Sequence, residues 1–399
     1  MRMGTRVKAV LLIALSGFAC STHQDLESDD FRFNGPLGSK GATIEKIKKN
    51  TFRMTLGHAP DHDNWANMAQ FEIEQHAKDN DLTLVVVFNQ GNAYAFNDYF
   101  YSWSYDGESW HPIHWQQKEK DSAKGDTLIF PVFEQDRVIV GHQVPMSFEK
   151  ILGIIKNVES NPHVNVTKVG SSLGARPLLR LTVTDPSGTL AASERWVHYI
   201  SNQHPGEHNS QWRMVGMLRW LLSDQGARTR KNSIVHFVFM MSPDAPTHGW
   251  YRTNAQGVDM NRSYRAEGAD KNEQAHEAFI WQKDLQSIME SDAPVTTLWG
   301  MHTWQGPVEP IILTGPEFGQ ELDSWEAFRD LVESNDTPDL IEPLRQRKEA
   351  GNPTTWTNGP HIQYGMTTIL CEGAGSIYTK EENIESGRIL MQSIAEFYK

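Results

Sequence analysis

From residue 146 to the end of the chain, short β-branched apolar runs alternate with stretches of helical period. Residues 147–158 set Phe148, Ile151, Leu152 and Ile155 on one face of a helix. After it come a strand over 195–200, a helix over 209–222, a strand over 233–241 and a helix over 272–289. Strands over 295–300 and 366–370 and a last helix over 383–397 complete the series. Such alternation demands helices on both faces of a buried sheet, so the fold class is α/β: an α/β/α sandwich around a mostly parallel mixed sheet. Open sheets of this kind bind ligands just beyond the carboxyl ends of their strands. The residues that follow each strand are therefore the ones to read for chemistry.

The preceding stretch has a different rhythm. Leu82 to Phe88 is an apolar β-branched run followed by Asn89-Gln90-Gly91-Asn92, which is turn chemistry. Tyr94 to Tyr105 is aromatic-rich and is closed by Asp106-Gly107, a hairpin turn. Two more strands are expected in 127–133 and 137–140, with 115–124 as a solvated Lys/Glu-rich loop between. Short strands separated by turns point to a small β-sandwich over 46–145, ahead of an α/β region over 146–399. At 399 residues the chain is long enough for two cores.

Arg2, Arg6 and Lys8 precede an apolar stretch from Ala9 to Ala19, too short to span a bilayer as a helix. Small residues at Gly17 and Ala19 complete an export signal over 1–19. Cys20 stands directly after it, where a bacterial lipoprotein carries its lipid, although Gly17 occupies a place where leucine is usual. The expected location is the periplasm or cell envelope, with Cys20 as lipid anchor and residues 20–45 as a polar tether. Cys371 is the other of two cysteines, so no disulfide framework exists. A formal net charge of −13 disfavours nucleic acid and anionic lipid as partners.

Four of the strand-following segments carry chemistry. After the strand ending at Ile200 comes His204-Pro205-Gly206-Glu207. Imidazole and carboxylate both suit zinc. About one His-x-x-Glu is expected by chance among 16 histidines, so the motif alone is weak. After the strand ending near Gly300 comes His302, which competes with His248 and His361 as third ligand and is favoured by its place at a buried strand's end. Two histidines and one carboxylate make a catalytic rather than a structural zinc site. After Leu370 comes Glu372, a carboxylate that is costly at an apolar strand's end unless it is used, and well placed as a general base. After Met241 come Ser242-Pro243-Asp244, Tyr251-Arg252 and Gly257-Val258-Asp259-Met260-Asn261-Arg262. Arg262 with Asn261 suits a terminal carboxylate and Arg252 an oxyanion, unless the group is only a surface turn paired with Asp259.

These segments closely resemble the zinc metallocarboxypeptidase (funnelin) family, in the form seen in its cytosolic carboxypeptidase-like branch. The resemblance lies in His204-Pro-Gly-Glu207-x-Asn-Ser, in Ser-Pro-Asp followed by Tyr-Arg252, and in Gly-x-Asp-x-Asn261-Arg262, nine residues from Arg to Asn. It spans about residues 146–399, with a weaker likeness over the β region. It implies Zn2+ bound by His204, Glu207 and His302, with Glu372 as general base. It also implies Arg252 on the scissile carbonyl, Asn261 and Arg262 on the substrate carboxylate, and a peptide or protein C-terminus as substrate. Two departures stand out. The tyrosine that the digestive members place before the catalytic glutamate has only Tyr364 and Tyr378 as nearby candidates. His208 replaces a small polar residue and is expected beside the site or at the surface. Rival readings are a zinc amidohydrolase acting on murein stem peptides or N-acyl amino acids, and a non-catalytic binding lipoprotein.

Overall fold

The computed structural model describes residues 24–88, 100–113, 118–121, 125–304, 311–313, 322–341, 345–346, 351–374 and 379–399. The export signal, Cys20 and Tyr378 lie outside them. Among the described residues, twelve strands fill the N-terminal part. They are β1 (Phe31–Arg32), β2 (Thr43–Lys48), β3 (Thr51–Leu56), β4 (His58–Ala59), β5 (His62–Ala66), β6 (Phe71–Ile73), β7 (Leu82–Phe88), β8 (Tyr101–Ser104), β9 (His111–Ile113), β10 (Lys118–Asp121), β11 (Gly125–Phe130) and β12 (Val138–His142). Two five-stranded sheets, β1-β6-β12-β8-β9 and β10-β11-β7-β3-β2, share one core. Period-two burial builds it: Leu82, Leu84 and Val86 of β7 point inward beside Phe52, Met54 and Leu56 of β3. Asp106 closes the β8–β9 turn by accepting from the N–H groups of Glu108 and Ser109 at 2.7 Å each.

Two expectations are corrected here. The described part of the tether, from residue 24, is built into the fold: Leu26 is fully buried, and β1 pairs antiparallel with β6. Its polar composition conceals two anchors, Leu26 and Phe31, that a scan for runs of apolar residues does not register. Within the expected loop at 115–124, Lys118–Asp121 is an edge strand on β11; alternating charge is compatible with an edge that needs only its backbone.

The C-terminal part holds α1 (Phe148–Val158), β13 (Val164–Ser171), β14 (Pro177–Val183), β15 (Trp196–Ser201), α2 (His208–Leu222), α3 (Ala227–Asn232), β16 (Ser233–Val238), α4 (His276–Met289), β17 (Thr297–Trp304), β18 (Ile311–Leu313), α5 (Leu322–Asn335), β19 (Arg345–Gln346), α6 (Asn358–Tyr364), β20 (Thr367–Ala374) and α7 (Lys380–Phe397). Eight strands form one sheet in the order β13-β14-β16-β15-β17-β20-β18-β19. Its centre, β16-β15-β17-β20, is parallel, and antiparallel neighbours flank it. Successive residues of a central strand feed opposite cores. Leu298 packs with Trp281 and Leu285 of α4, while Trp299 packs with α2, α5 and α7 through Leu218, Phe328 and Ile394. Each such fully buried apolar side chain contributes roughly 1.5–3 kcal/mol. The β13–β14 hairpin is an addition to the sequence expectation: β13 is polar and partly exposed, whereas β14 carries a strand signal in its buried Leu178, Leu181 and Val183.

Because the four central strands are parallel, their carboxyl ends lie along one edge. Ser201, Val238, Gly300 and Leu370 bring the following residues to that edge together.

Candidate metal and catalytic site

The loop after β15 is set by the backbone before any side chain acts. Asn202 N–H donates to Val238 O, and Met241 N–H returns to Asn202 O, tying the ends of β15 and β16 together at 3.0 and 3.1 Å. Glu207 N–H donates to His204 O at 3.1 Å, which turns both side chains to one side. Pro205-Gly206 fits this turn for a steric reason. A Cβ on Gly206 would lie 2.7 Å from Tyr251 Cα and 2.9 Å from Met68 Sδ.

His204 Nδ1 lies 2.8 Å from Glu207 Oε1, and His302 Nδ1 lies 2.7 Å from Glu207 Oε2. The two Nδ1 atoms face each other at 3.1 Å. All three residues are at most 3% exposed, and their donor atoms lie within 4.8 Å of one another. Thr303 N–H also donates to Glu207 Oε2 at 3.1 Å. Two imidazoles and a carboxylate, all buried and close together, are the donor set that three-ligand zinc takes, so the residues present fit the ion.

The outer ring atoms are held as well. His204 Nε2 is 3.0 Å from Asp259 Oδ1, and His302 Nε2 is 3.3 Å from Asn261 Nδ2. Asn261 Oδ1 accepts from Trp356 N–H at 2.9 Å. Arg252 donates through Nε and Nη2 to Asp259 Oδ2 at 2.9 Å each, and its Nη1 is 3.9 Å from Glu207 Oε1. Arg262 is exposed and donates to Asn261 O at 2.8 Å. Glu372 is half-buried on β20 directly opposite His302 on parallel β17, so both side chains leave the same face of the sheet.

The electrostatics follow from this crowding. Burial raises the Glu207 carboxyl, but His204 and His302 outweigh it and hold it far below the usual carboxylate range. Burial and Arg252 push His204 down, yet Glu207 and Asp259 prevail and its pKa stands above the ordinary value. Asp259, also raised by burial, is held far down by His204, Arg252 and Arg262. Glu372 goes the other way. Burial raises it and Glu207 adds to the rise, against the opposing pull of His302, His204 and Arg252. Two carboxylates of one site are thus pushed apart, one kept ionised and one made more basic.

The structure brings His204, Glu207, His302, Glu372, Arg252, Asn261 and Arg262 to one edge. His248 lies tilted against Trp250 with centroids 4.3 Å apart, and His361 Nδ1 meets Met366 O, so neither joins the cluster. Tyr364 ends α6 against the α4-side core. Cys371 is a buried strand residue within the core. His208 is fully buried rather than on the surface. Asp259, which the sequence offers only as a salt-bridge partner, lies two residues before Asn261 and contacts both His204 and Arg252.

Residues 151–294 match the zinc carboxypeptidase family profile, a span that includes His204, Glu207, Arg252, Asn261 and Arg262 and stops short of His302 and Glu372. Cytosolic carboxypeptidase 2 of Danio rerio is 33% identical over 148 residues, covering 35% of this chain and 20% of that protein. The chain thus spans about a fifth of the length of that relative. A metallo-carboxypeptidase from Burkholderia cenocepacia superposes with a TM-score of 0.77 at 19% identity, covering 92% of this chain and 98% of that one. A metallo-carboxypeptidase from Pseudomonas aeruginosa, solved with (2-guanidinoethylmercapto)succinic acid, gives 0.73 at 19% identity, covering 92% and 98%. Residues 151–294 are thus similar to a zinc carboxypeptidase domain and to part of the cytosolic carboxypeptidases, and the chain shares its fold with bacterial metallocarboxypeptidases.

Proposed function

We propose that this protein is a zinc-dependent carboxypeptidase that removes the C-terminal residue of a peptide or protein. The observation that carries the reading is the meeting, at one sheet edge, of the His204–Glu207–His302 cluster with Glu372 opposite His302. Zinc held by His204, Glu207 and His302 supplies Lewis-acid polarisation of the scissile carbonyl and a more acidic attacking water.

The remaining work belongs to the chain's own side chains. Arg262 and Asn261 hold the substrate's terminal carboxylate, for which a planar guanidinium offers two parallel donors. Glu372, made more basic by burial, takes a proton from the attacking water and passes it to the departing amine nitrogen. Arg252 faces the oxygen that becomes negative as the carbonyl carbon turns tetrahedral. Asp259 holds both Arg252 and His204, so one carboxylate sets the spacing of two active groups. Export with Cys20 as lipid anchor is part of the same proposal; Arg2, Arg6, Lys8 and the small residues before Cys20 support it.

The test is a peptide library varied at its last residue, read by mass spectrometry with and without a zinc chelator. Loss of one C-terminal residue that stops on chelation is expected. Zinc-loaded protein that leaves every peptide intact, or cuts internally, defeats the proposal.

A further inference from the structure

Glu207 occupies the N-cap position of α2, where a side chain ordinarily accepts from the first free N–H groups of the helix. It makes no such cap bond, because its carboxylate is turned to His204, His302 and Thr303. Other residues must then hold the start of this helix. Thr303 Oγ1 accepts from Ser210 N–H at 3.3 Å, and Gln143 Oε1 accepts from Asn209 N–H at 3.4 Å. Gln143 follows β12, at the end of the N-terminal region, and adopts a left-handed φ of 55°. Its N–H on Phe100 O at 2.8 Å and its carbonyl under Ser102 Oγ maintain that conformation.

His208, the next residue after Glu207, extends the pattern. It and Gln70 are both 0% exposed. Its Nδ1 accepts from Met146 N–H at 3.2 Å, with Gln211 Oε1 of the same helix at 3.3 Å. Its Nε2 is 3.1 Å from Gln70 Nε2. A neutral imidazole has one donor and one acceptor. Met146 N–H makes Nδ1 the acceptor and leaves Nε2 as the donor, so Gln70, whose Nε2 faces the ring, must have its amide flipped end for end to present Oε1. Gln70 lies between β5 and β6, and Met146 just before α1, so both anchors of His208 come from outside the α/β sheet.

We infer that His208 and Gln70 are positioning residues for Glu207, locking the first turn of α2 to the β-sandwich so that the carboxylate stays free to bind zinc. The inference rests on the zinc site proposed above. A ring at 208 reaches two fixed partners 62 and 138 residues away in sequence, a span that a small polar side chain does not bridge.

The test compares wild type with Gln70→Leu, His208→Leu and His208→Gln. Zinc affinity is read by competition with a chromogenic chelator, together with the thermal midpoint, kcat and KM on a cleaved peptide. Both leucine variants are expected to bind zinc about 10-fold or more weakly and to lose kcat, with KM within about 2-fold because Asn261 and Arg262 are untouched. His208→Gln, whose amide offers one donor and one acceptor, is expected to recover zinc affinity to within about 3-fold. Should His208→Leu not fold, Gln70→Leu changes the far partner and decides alone. Wild-type zinc affinity in folded Gln70→Leu protein, even with a lowered thermal midpoint, would overturn the inference. Zinc affinity is measured without substrate, so a wild type that binds zinc but cuts no peptide defeats the functional proposal and leaves this one standing.

Discussion

His302 and Glu372 sit opposite each other on neighbouring parallel strands, one a donor in the buried cluster and the other outside it. That separation lets metal binding and proton transfer be uncoupled. Glu372→Gln is expected to retain one zinc per chain by metal analysis while kcat falls by about 10²–10⁴. A variant with unchanged turnover would remove Glu372 from the chemistry.

Asp259 braces His204 and Arg252 at the same time. Asp259→Asn keeps the size and removes the charge. Zinc affinity is expected to drop by about 10–100-fold, as measured by chelator competition. An affinity equal to wild type would show that the brace is dispensable.

Leu26 tests whether the segment before β2 is structural. It is fully buried in the β-sandwich core. Leu26→Ala is expected to cost about 2–5 kcal/mol in urea unfolding. A tether residue would leave the midpoint where it was.

Acid should destabilise the protein through two histidines far from the cluster. Burial holds His198 and His236 down to about 3, with Arg180 and His198 adding to the effect at His236. Both rings are neutral in the fold, and the unfolded chain takes up their protons below about pH 6.5. Their contribution is therefore complete above about 6.5 and is lost as pH falls towards 3. Each group gives a slope of up to about 1.4 kcal/mol per pH unit. Urea midpoints at pH 7 and 5 should diverge more in wild type than in the double variant His198→Gln/His236→Gln. Equal divergence would mean that neither ring titrates with unfolding.

The sheet was largely legible because apolar strands announce themselves. The proposed site residues His302 and Glu372 stand out as polar groups at the ends of apolar runs, although β17 and β20 run on through both. A scan for apolar runs ends where the site begins. What stayed hidden depends on long-range pairing. Strand β13 is polar and partly exposed, and Lys118–Asp121 is a strand only because β11 lies beside it. Gln70 and Gln143 carry no local signal at all, since their partners lie 138 and 66 residues away.

Phe100, Val144 and Met146 pack into the same core as Trp212, Leu218 and Leu390. A recombinant piece trimmed to 151–294 would leave that apolar surface bare and would discard one of the two imidazoles and the half-buried carboxylate opposite it. If the zinc site and its Gln70 brace are as proposed, the unit that folds and binds the ion reaches back past Gln70 and forward through α7. Random truncation or transposon interruption anywhere between those limits should yield insoluble or metal-free protein rather than a smaller working enzyme.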